Sequence, residues 1–351
     1  MSLKMTIPPK LPPIPPLDDT AQQAALDRHG RLAVPRGGLG RLEVLSVRLA
    51  AMTGDIGWRP QRPAVVICAG DHGIAEKNVS AFARGATKQL VLNILRGGAS
   101  INALARRFDA ALTVVDAGVA GILPKHDHLI SEKINYGTAD FTDGPAMSPG
   151  QVDKAIQLGM RVAHMQIDAG ADIIFLGDLG TGNSTSAAAL TAAITGMGVE
   201  RVTGSGAGIS SDQLQRKVEV IEKALALHAP VDEDTLARFG GLEIAALLGM
   251  MIGSAARRIP VVLDGYPTAA AALVAARLDS NVVNYLIAGH RSAEMGHGVA
   301  LQTLGLKPML ELSIRTGEGT GALLALPLVD AAMVMLQEMA TQDDAGMEGV
   351  L

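Results

Sequence analysis

Cysteine and aromatic residues are scarce in this 351-residue sequence, which has one Cys, one Trp, three Tyr and five Phe. The single cysteine, Cys68, excludes a disulfide framework and a cysteine-rich metal site. Basic residues are not in excess either, since 30 Lys and Arg stand against 35 Asp and Glu. The charge balance therefore indicates neither nucleic acid nor an anionic membrane as a partner.

Long apolar runs are also lacking. The longest uncharged ones, residues 244–256 and 322–329, are shorter than the roughly 20 residues that span a bilayer. The beginning of the chain is rich in proline rather than apolar, so no signal peptide is predicted and a cytoplasmic location is expected. Residues 8–16 are predicted to form an extended polyproline-like arm, and the polar tail 340–351 is expected to fray.

Short apolar runs are abundant, in a chain that is 48% hydrophobic and contains 40 glycines. Five of them end in glycine and a polar residue: PAVVICAGDHG, LTVVDAGVAG, DIIFLGDLGTG, PVVLDGYP and VVNYLIAGHRS. Segments long enough for helices, such as 87–108 and 148–169, lie between them. Continuous hydrophobicity is typical of strands covered on both faces. The predicted fold is α/β, an open and mostly parallel Rossmann-like sheet with helices on both faces.

Polar residues follow these predicted strands, among them Asp116, Asp178, Asp264 and His290. In open parallel sheets the carboxyl ends of the strands form the ligand-binding edge. A single Asp after a strand is equally typical of a helix cap, so it is the repetition that indicates a site.

Two glycine-rich loops indicate phosphate binding. In GDLGTGNSTS the glycines permit a tight turn, and the polar residues that follow can cap a helix whose free N–H groups attract an anion. The second loop, TGSGAG, precedes Lys217 by a few turns. Neither matches a P-loop or a dinucleotide fingerprint, which favours a small nucleotide; simple tight turns remain the alternative.

The stretch RTGEGTGALLALPLV places Glu318 between two glycines before an apolar helix. Glutamate is poorly suited to a tight turn, so its presence there calls for a reason. One interpretation is a general base at the lip of an apolar pocket, where partial burial raises its pKa. The other is an exposed carboxylate without a role.

Histidines suggest a metal site only weakly. HRSAEMGH brings His290, Glu294 and His297 together in sequence but lacks the HExxH spacing of a helical zinc site, so no metal is predicted. His72, in AGDHG, is interpreted as a hydrogen-bonded structural histidine near the site.

Eight ordered motifs resemble one known family. They are GGLGRLEVLSVRLA, CAGDHGIAEKNVSAFARGATKQLV, GDLGTGNSTSAAAL, GSGAGISSDQLQRK, GGLEIAALLG, VVLDG, AGHRSAEMGH and RTGEGTGALLALPLV. The sequence is similar to the nicotinate-nucleotide:dimethylbenzimidazole phosphoribosyltransferases of cobalamin lower-ligand synthesis, over roughly residues 39–329. The resemblance implies a homodimer, and a Rossmann-like domain (61–321) beside a small helical domain formed by both ends of the chain (1–60 and 322–351).

The resemblance also implies a reaction. A benzimidazole nitrogen attacks the ribose C1′ of nicotinate mononucleotide, and nicotinate leaves without protonation, with no cofactor or metal. The second ring N–H becomes acidic as the bond forms, so a base must accept its proton. The family's RxGEGxG motif places that base at Glu318, and a second carboxylate is expected at Asp178.

Further residues are assigned by the same resemblance. Those expected to contact the acceptor are Ser80, Phe82 and Gln89. Those expected around the nucleotide are Gly180, Thr181, Gly182, Asn183, Ser184, Thr185, Gly206, Lys217, His290, Arg291, Ser292, Arg315 and Gly317. Ser80 and Gln89 could instead be ordinary surface residues, and Lys217 could lie on a solvated helix face.

The sequence departs from the family where GDLGTGNST replaces a motif like GEMGIGNTT. Asp178 is one methylene shorter than the usual Glu, and Thr181 replaces an apolar residue. An enzyme with the same donor and another acceptor base therefore remains an alternative. A nucleotide-binding dehydrogenase and a non-catalytic nucleotide-binding protein are the alternatives from other classes.

Overall fold

A computed structural model describes residues 11–83, 85–230 and 234–347. Its centre is a sheet of six parallel strands in the order β3-β2-β1-β4-β5-β6. The strands are β1 (Pro63–Gly70), β2 (Ala111–Gly118), β3 (Leu129–Ser131), β4 (Ile173–Leu179), β5 (Val261–Leu263) and β6 (Leu286–Ala288). The structure confirms the predicted α/β fold with an open parallel sheet.

Fourteen α-helices are assigned within the described residues. They are α1 (Asp19–His29), α2 (Arg41–Thr53), α3 (Ala86–Leu95), α4 (Ser100–Arg107), α5 (Pro149–Asp168), α6 (Asn183–Thr195), α7 (Val199–Val202), α8 (Ser211–Leu227), α9 (Thr235–Phe239), α10 (Leu242–Ala255), α11 (Tyr266–Leu278), α12 (Met295–Thr303), α13 (Thr320–Leu323) and α14 (Leu326–Glu338). Two 3₁₀ segments, Gly73–Lys77 and Ser280–Tyr285, complete the set.

The continuous apolar runs are buried, as a sheet covered on both faces requires. Every residue of β1 and β4 is buried, and β1 pairs with both β2 and β4. Cys68 lies in β1 with no exposed surface, so it is a core residue. The core therefore runs through the centre of the sheet and fixes the carboxyl ends of its strands.

Helix α10 is buried on all sides, because it lies between the sheet and α5. Two glycines allow the two helices to approach closely. A Cβ atom at Gly159 would lie 1.9 Å from the Ala246 carbonyl oxygen, and one at Gly249 would lie 2.1 Å from that of Ile156. The helix pair is thus packed backbone against backbone.

Both ends of the chain form a small helical part, in which α2 packs against α1 and α14. Arg28 donates hydrogen bonds to the Leu336 and Met339 carbonyl oxygens at the end of α14. Arg59 lies 3.2 Å from Asp330 and 2.9 Å from Glu338. This packing agrees with the predicted contribution of both termini, while the boundaries at 60 and 321 stay predictions.

Three predicted elements differ from the structure. The segment 87–108 forms two helices, because Gly97 adopts a left-handed conformation (φ +80°) and ends α3 before α4 begins. In VVNYLIAGHRS only Leu286–Ala288 is a strand, and the residues before it form a 3₁₀ helix. Strand β3 was not predicted, because three residues carry too little pattern to identify.

The predicted arm and tail are both tied to the body of the protein. Residues 11–18 form neither helix nor strand, and the Tyr285 hydroxyl donates to the Pro15 carbonyl; residues 8–10 lie outside the described residues. The expectation that the tail frays is wrong as far as residue 347. Thr341 forms a bridge with Leu32, and the Gln342 N–H donates to the Arg31 carbonyl.

One helical stretch in the described part, Thr320–Glu338, is long and apolar enough to cross a membrane, with a mean hydropathy of 1.6. It comprises α13 and α14, and 56% of its 18-residue apolar stretch is buried inside the protein. A core helix of a water-soluble protein passes the same test, so length and composition here carry little weight.

Gly159→Ala is expected to destabilise the protein by about 1–3 kcal/mol, because the new methyl group overlaps the α10 backbone. In an isolated helix the same change would stabilise. Denaturant unfolding measures the difference. Gly150→Ala in the same helix, where the added carbon meets nothing within 4 Å, is the control and should be tolerated. Equal stability of the two variants would contradict the close packing of α5 and α10.

Candidate active site

A cavity of about 540 Å³ lies at the carboxyl ends of β4, β5 and β6. Most of the residues predicted for the site line it. These are Ser80, Phe82, Asp178, Gly180, Thr181, Gly182, Asn183, Ser184, Gly206, His290, Ser292, Arg315, Gly317 and Glu318. The sheet edge thus brings together motifs that are far apart in the sequence.

Four predicted residues are not part of this lining. Gln89 is exposed on α3, and Thr185 is buried in the first turn of α6. Lys217 is buried behind the lining. Arg291 lines an adjoining cavity of about 360 Å³ and lies 3.5 Å from Glu311. Their roles in binding stay predictions.

Several lining residues were not assigned from the sequence. They are Leu90, Leu179, Ala207, Asp264, Gly265, Tyr266, Pro267, Glu294, Ser313, Ile314 and Thr316. Asp264 had a signal, because it follows a predicted strand, but no role was attached to it. The apolar members carry no local signal, since any core residue looks the same in sequence.

The first glycine-rich loop joins β4 to α6 with almost no free space. A Cβ atom at Gly180 would lie 2.3 Å from the Gly70 carbonyl oxygen. Gly182 has φ +94°, in the region that favours glycine, and it is the N-cap of α6. The loop therefore aims the beginning of α6 into the cavity, where the helix N-terminus favours an anion.

Lys217 supports this loop from inside the protein. Its Nζ donates to the Ser184 hydroxyl at 2.9 Å and to the Gly204 carbonyl at 3.1 Å. Burial lowers the pKa of Lys217 to about 8, and the nearby Glu294 carboxylate opposes that shift. The side chain is fully buried, so the alternative of a solvated helix face is wrong for this residue.

Asp178, at the end of β4, is a buried carboxyl group. One of its oxygens accepts a hydrogen bond from the Asn183 amide at 2.8 Å, and the other has no partner among the described residues. Burial raises the pKa of Asp178 well above its usual value, and the charges of Asp264 and Glu243 raise it further. The group is thereby biased towards its protonated form.

Glu318 occupies an unusual backbone conformation. It has φ +66°, between Gly317 at +66° and Gly319 at +80°. Few residues other than glycine adopt this region, and such outliers cluster at functional sites. The turn is pressed against β4, since a Cβ atom at Gly177 would lie 2.4 Å from the Gly319 nitrogen.

Asp264 fixes the same turn. Its carboxylate accepts the Gly319 N–H at 3.2 Å and the Ala322 N–H at 2.8 Å. His290, buried beside it, lies 3.3 Å from the nearer Asp264 oxygen. The turn that carries Glu318 is therefore held from both β4 and the end of β5.

The Glu318 carboxylate lines the cavity, and the residue is 9% exposed. Burial raises its pKa, a hydrogen bond from the Ser100 hydroxyl lowers it, and the Asp264 charge raises it. The alternative of a freely exposed turn carboxylate is thus wrong. The group has the partial burial that a general base requires.

Two other histidines near the site, His72 and His297, have partners inside the protein. His72 Nε2 lies 2.5 Å from a Glu243 oxygen, with both side chains fully buried. His297 Nδ1 accepts the Ser292 N–H at 3.0 Å, and burial lowers its pKa to about 3. Among residues 11–83, 85–230 and 234–347, no group of three or more His, Cys, Asp or Glu could hold a metal ion.

Thr181, which stands where the family motif has an apolar residue, lines the same cavity as Ser80 and Phe82. The Thr181 hydroxyl lies 3.1 Å from that of Thr87, which donates to Asp71 at 2.6 Å. The polar group that replaces an apolar side chain is therefore satisfied inside the protein. Ser80 accepts the Phe82 N–H at 3.2 Å, and the Phe82 ring is 49% exposed.

Comparison with known proteins agrees with this architecture. The family model described as Phosphoribosyltransferase matches residues 14–347. Two proteins named nicotinate-nucleotide–dimethylbenzimidazole phosphoribosyltransferase are 52% identical over 336 residues (Chloroflexus aggregans, 95% of each chain) and 51% identical over 339 residues (Roseiflexus sp., 96% of each chain).

A crystal structure with the same enzyme name, from Thermus thermophilus, has a TM-score of 0.90 at 41% identity, covering 94% of this chain and 99% of that one. Sequence similarity and fold thus agree over almost the whole length. The chain belongs to the nicotinate-nucleotide–dimethylbenzimidazole phosphoribosyltransferase family.

Proposed function

We propose that this chain transfers the phosphoribosyl group of nicotinate mononucleotide to 5,6-dimethylbenzimidazole. A ring nitrogen of the acceptor forms a bond to C1′, and the bond from C1′ to the nicotinate nitrogen breaks with its electron pair on nicotinate. The acceptor's second ring nitrogen loses a proton to the enzyme. The products are nicotinate and α-ribazole 5′-phosphate.

The observation that carries this proposal is the position of Glu318. It lies in a left-handed turn on the wall of the same cavity that contains the glycine-rich loop before α6. A base and a phosphate cradle in one cavity suit a reaction at the sugar between them. A protein that only bound nucleotides would gain nothing from a partly buried carboxylate in a strained turn.

Glu318 suits the role of proton acceptor. A carboxylate of ordinary pKa is a weak base near neutral pH, and burial raises the pKa of Glu318 towards that range. Holding the acceptor, the sugar and the leaving group in line supplies much of the remaining rate enhancement, because the entropic cost of bringing them together is met on binding.

The other carboxyl groups suit the charge of the reacting sugar. Asp178 and Asp264 both line the cavity, and bound nicotinate mononucleotide carries a cationic pyridinium ring. As this ring leaves, positive charge moves towards the ribose, and fixed negative groups nearby stabilise that change. Asp178 would serve as a hydrogen-bond donor when protonated and as a charge when ionised.

In this proposal the N-terminus of α6, supported by Lys217, binds the nucleotide. Residues 180–184 would surround the phosphate, with Lys217 holding the Ser184 hydroxyl in place. Gly206, His290, Ser292 and Arg315 line the same cavity and would contact the rest of the nucleotide. Thr185 and Arg291 are also proposed to contact the nucleotide, and Gln89 the acceptor, although none of the three lines this cavity.

Another acceptor base is the main alternative within this chemistry, because the cavity contains Asp178 and Thr181 where the family motif that this sequence resembles has Glu and an apolar residue. The dehydrogenase alternative is not favoured, because the two relatives are named as transferases and match this chain over 95% and 96% of their length. A homodimer in the cytoplasm also belongs to the proposal and is supported by the family resemblance alone.

The direct test is nicotinate release from nicotinate mononucleotide in the presence of a panel of acceptors. We expect release with 5,6-dimethylbenzimidazole and less with a purine or a phenol, since Phe82, Leu90 and Leu179 in the cavity lining favour an apolar, methylated ring over more polar acceptors. The absence of nicotinate release with every benzimidazole in the panel would refute the proposal. Reduction of a nicotinamide dinucleotide by a hydroxy acid would support the dehydrogenase instead.

Glu318→Gln should lower kcat by roughly 10²-fold or more while nicotinate mononucleotide still binds, because the amide keeps the shape and loses the base. Stopped assays give kcat, and calorimetric titration gives the affinity. Glu222→Gln, an exposed change on α8, is the charge-matched control. Wild-type turnover by Glu318→Gln would refute its assignment as the base.

Gly182→Val should weaken nucleotide binding at least tenfold, since a β-branched residue is strained at φ +94° and its Cβ would lie 3.1 Å from His72. Gly198→Val, at a site with negative φ and open space, is the matched control. Calorimetric titration with nicotinate mononucleotide compares the two. Equal affinities would mean that the loop is only a turn.

A further inference from the structure

Ser100 contacts the side chain of Glu318, although the two residues are 218 positions apart in the sequence. Its hydroxyl donates to Glu318 Oε2 at 3.3 Å and lies 2.8 Å from the Thr320 hydroxyl. Ser100 belongs to none of the motifs that resemble the family, and it does not line the cavity. It reaches the carboxylate from the side of α4.

The contact is not needed to begin α4. The N-cap is Ala99, whose N–H donates to the Asn102 side chain at 3.0 Å, and Ser100 is the first helical residue. Alanine at that position would be compatible with the helix. The hydroxyl is therefore free to act on the turn that carries Glu318.

Among the described residues, no hydrogen-bond partner other than Ser100 contacts the Glu318 carboxylate. A carboxylate with one oxygen held has a defined orientation, and its second oxygen is left to accept another hydrogen bond. The N-terminus of α4 beside it also favours the ionised form.

The charged groups around Glu318 come from every neighbouring element. β4 supplies Asp178, and the segment after β5 supplies Asp264, with His290 beside it. Arg315 is exposed on the same turn. The charged residues of α4, Arg106 and Arg107, lie in its last turn, away from Ser100. The charge that shifts the pKa of Glu318 is the negative charge of Asp264.

We propose that Ser100 is a positioning residue for Glu318, holding one carboxylate oxygen so that the other receives the proton of the acceptor's ring N–H. The inference rests on the proposed function. It deepens that function by adding a residue that acts on the base without touching either substrate.

The hydrogen bond has a definite effect on protonation. A donor to the ionised form lowers the pKa of a carboxyl group, so Ser100 opposes the burial and the Asp264 charge that raise the pKa of Glu318. Without the hydroxyl, the pKa rises further and a smaller fraction of Glu318 is ionised on the acid side. Above the pKa of both forms the base is ionised in either protein.

The experiment is the pH profile of kcat/KM for Ser100→Ala. On the acid limb we expect kcat/KM about two- to tenfold lower than that of the wild type, the range of an ordinary hydrogen bond, because this contact is long at 3.3 Å. On the plateau, where Glu318 is ionised in both proteins, the loss should be smaller, because only the orientation of the carboxylate is affected there, and the KM for nicotinate mononucleotide should not change. Ser100→Thr keeps a hydroxyl and should restore the acid limb.

Ser211→Ala is the matched control, because Ser211 is also an exposed first helical residue that follows an N-cap, here Ser210 of α8. Its profile should overlay the wild-type profile. Superimposable profiles for Ser100→Ala and wild type would overturn the inference. So would an equal loss at every pH, because that is what a merely structural role predicts.

Failure of the proposed function gives a different result, namely no nicotinate release from the wild type itself. In that case an infrared titration identifies the Glu318 carboxyl band by its loss in Glu318→Gln. Ionisation at higher pH in Ser100→Ala than in wild type would still support the contact, and ionisation at the same pH would overturn it.

Discussion

The site depends on the contact between β4 and the turn that carries Glu318. Gly177 has no side chain, so the backbone of the turn can lie directly on the strand, and the Glu318 N–H donates to the Asp178 carbonyl at 3.3 Å. A left-handed glutamate costs on the order of 1–3 kcal/mol. The Asp264 carboxylate, which accepts two N–H groups of the turn, offsets part of that cost. Glu318, the proposed base, is thus placed by the backbone before any substrate binds.

The same edge concentrates carboxyl groups, which repel one another when ionised. Asp178 is biased towards its neutral form, whereas Asp264 is held by hydrogen bonds and Glu243 lies against His72. Each group thus has its own means of being buried, either by protonation or by a partner. A ligand that brings positive charge to this cavity reduces the repulsion, and one that brings a phosphate needs the separate, positive end of α6. The two halves of a cationic nucleotide match these two environments.

Local sequence patterns predicted most of the carboxyl-terminal edge of the sheet, because strand ends and glycine-rich loops are each formed by consecutive residues. The strands β1, β2 and β4 and the turn at Glu318 are all identified this way. What sequence could not supply is contact between distant segments. Ser100 looks like any helix-starting serine, and the burial of Lys217 follows from the packing of α8 over the loop rather than from the polar pattern of its helix. The break between α3 and α4 was missed although Gly97 and Gly98 are a turn signal, because the residues on both sides of the pair have helical patterns.

The departures from the family motif are better understood from the structure than from the sequence. A hydroxyl at Thr181 would be costly against an apolar wall, but Thr87 lies 3.1 Å away and is itself bonded to Asp71. Asp178 reaches less far than a glutamate, and Asn183 from the next helix meets it at 2.8 Å. Each departure is therefore accommodated by a neighbour in this chain, and each neighbour ties the nucleotide loop more firmly to α3 or β4. A change of acceptor through these positions would have to alter that whole set of contacts, since neither side chain is free to turn alone.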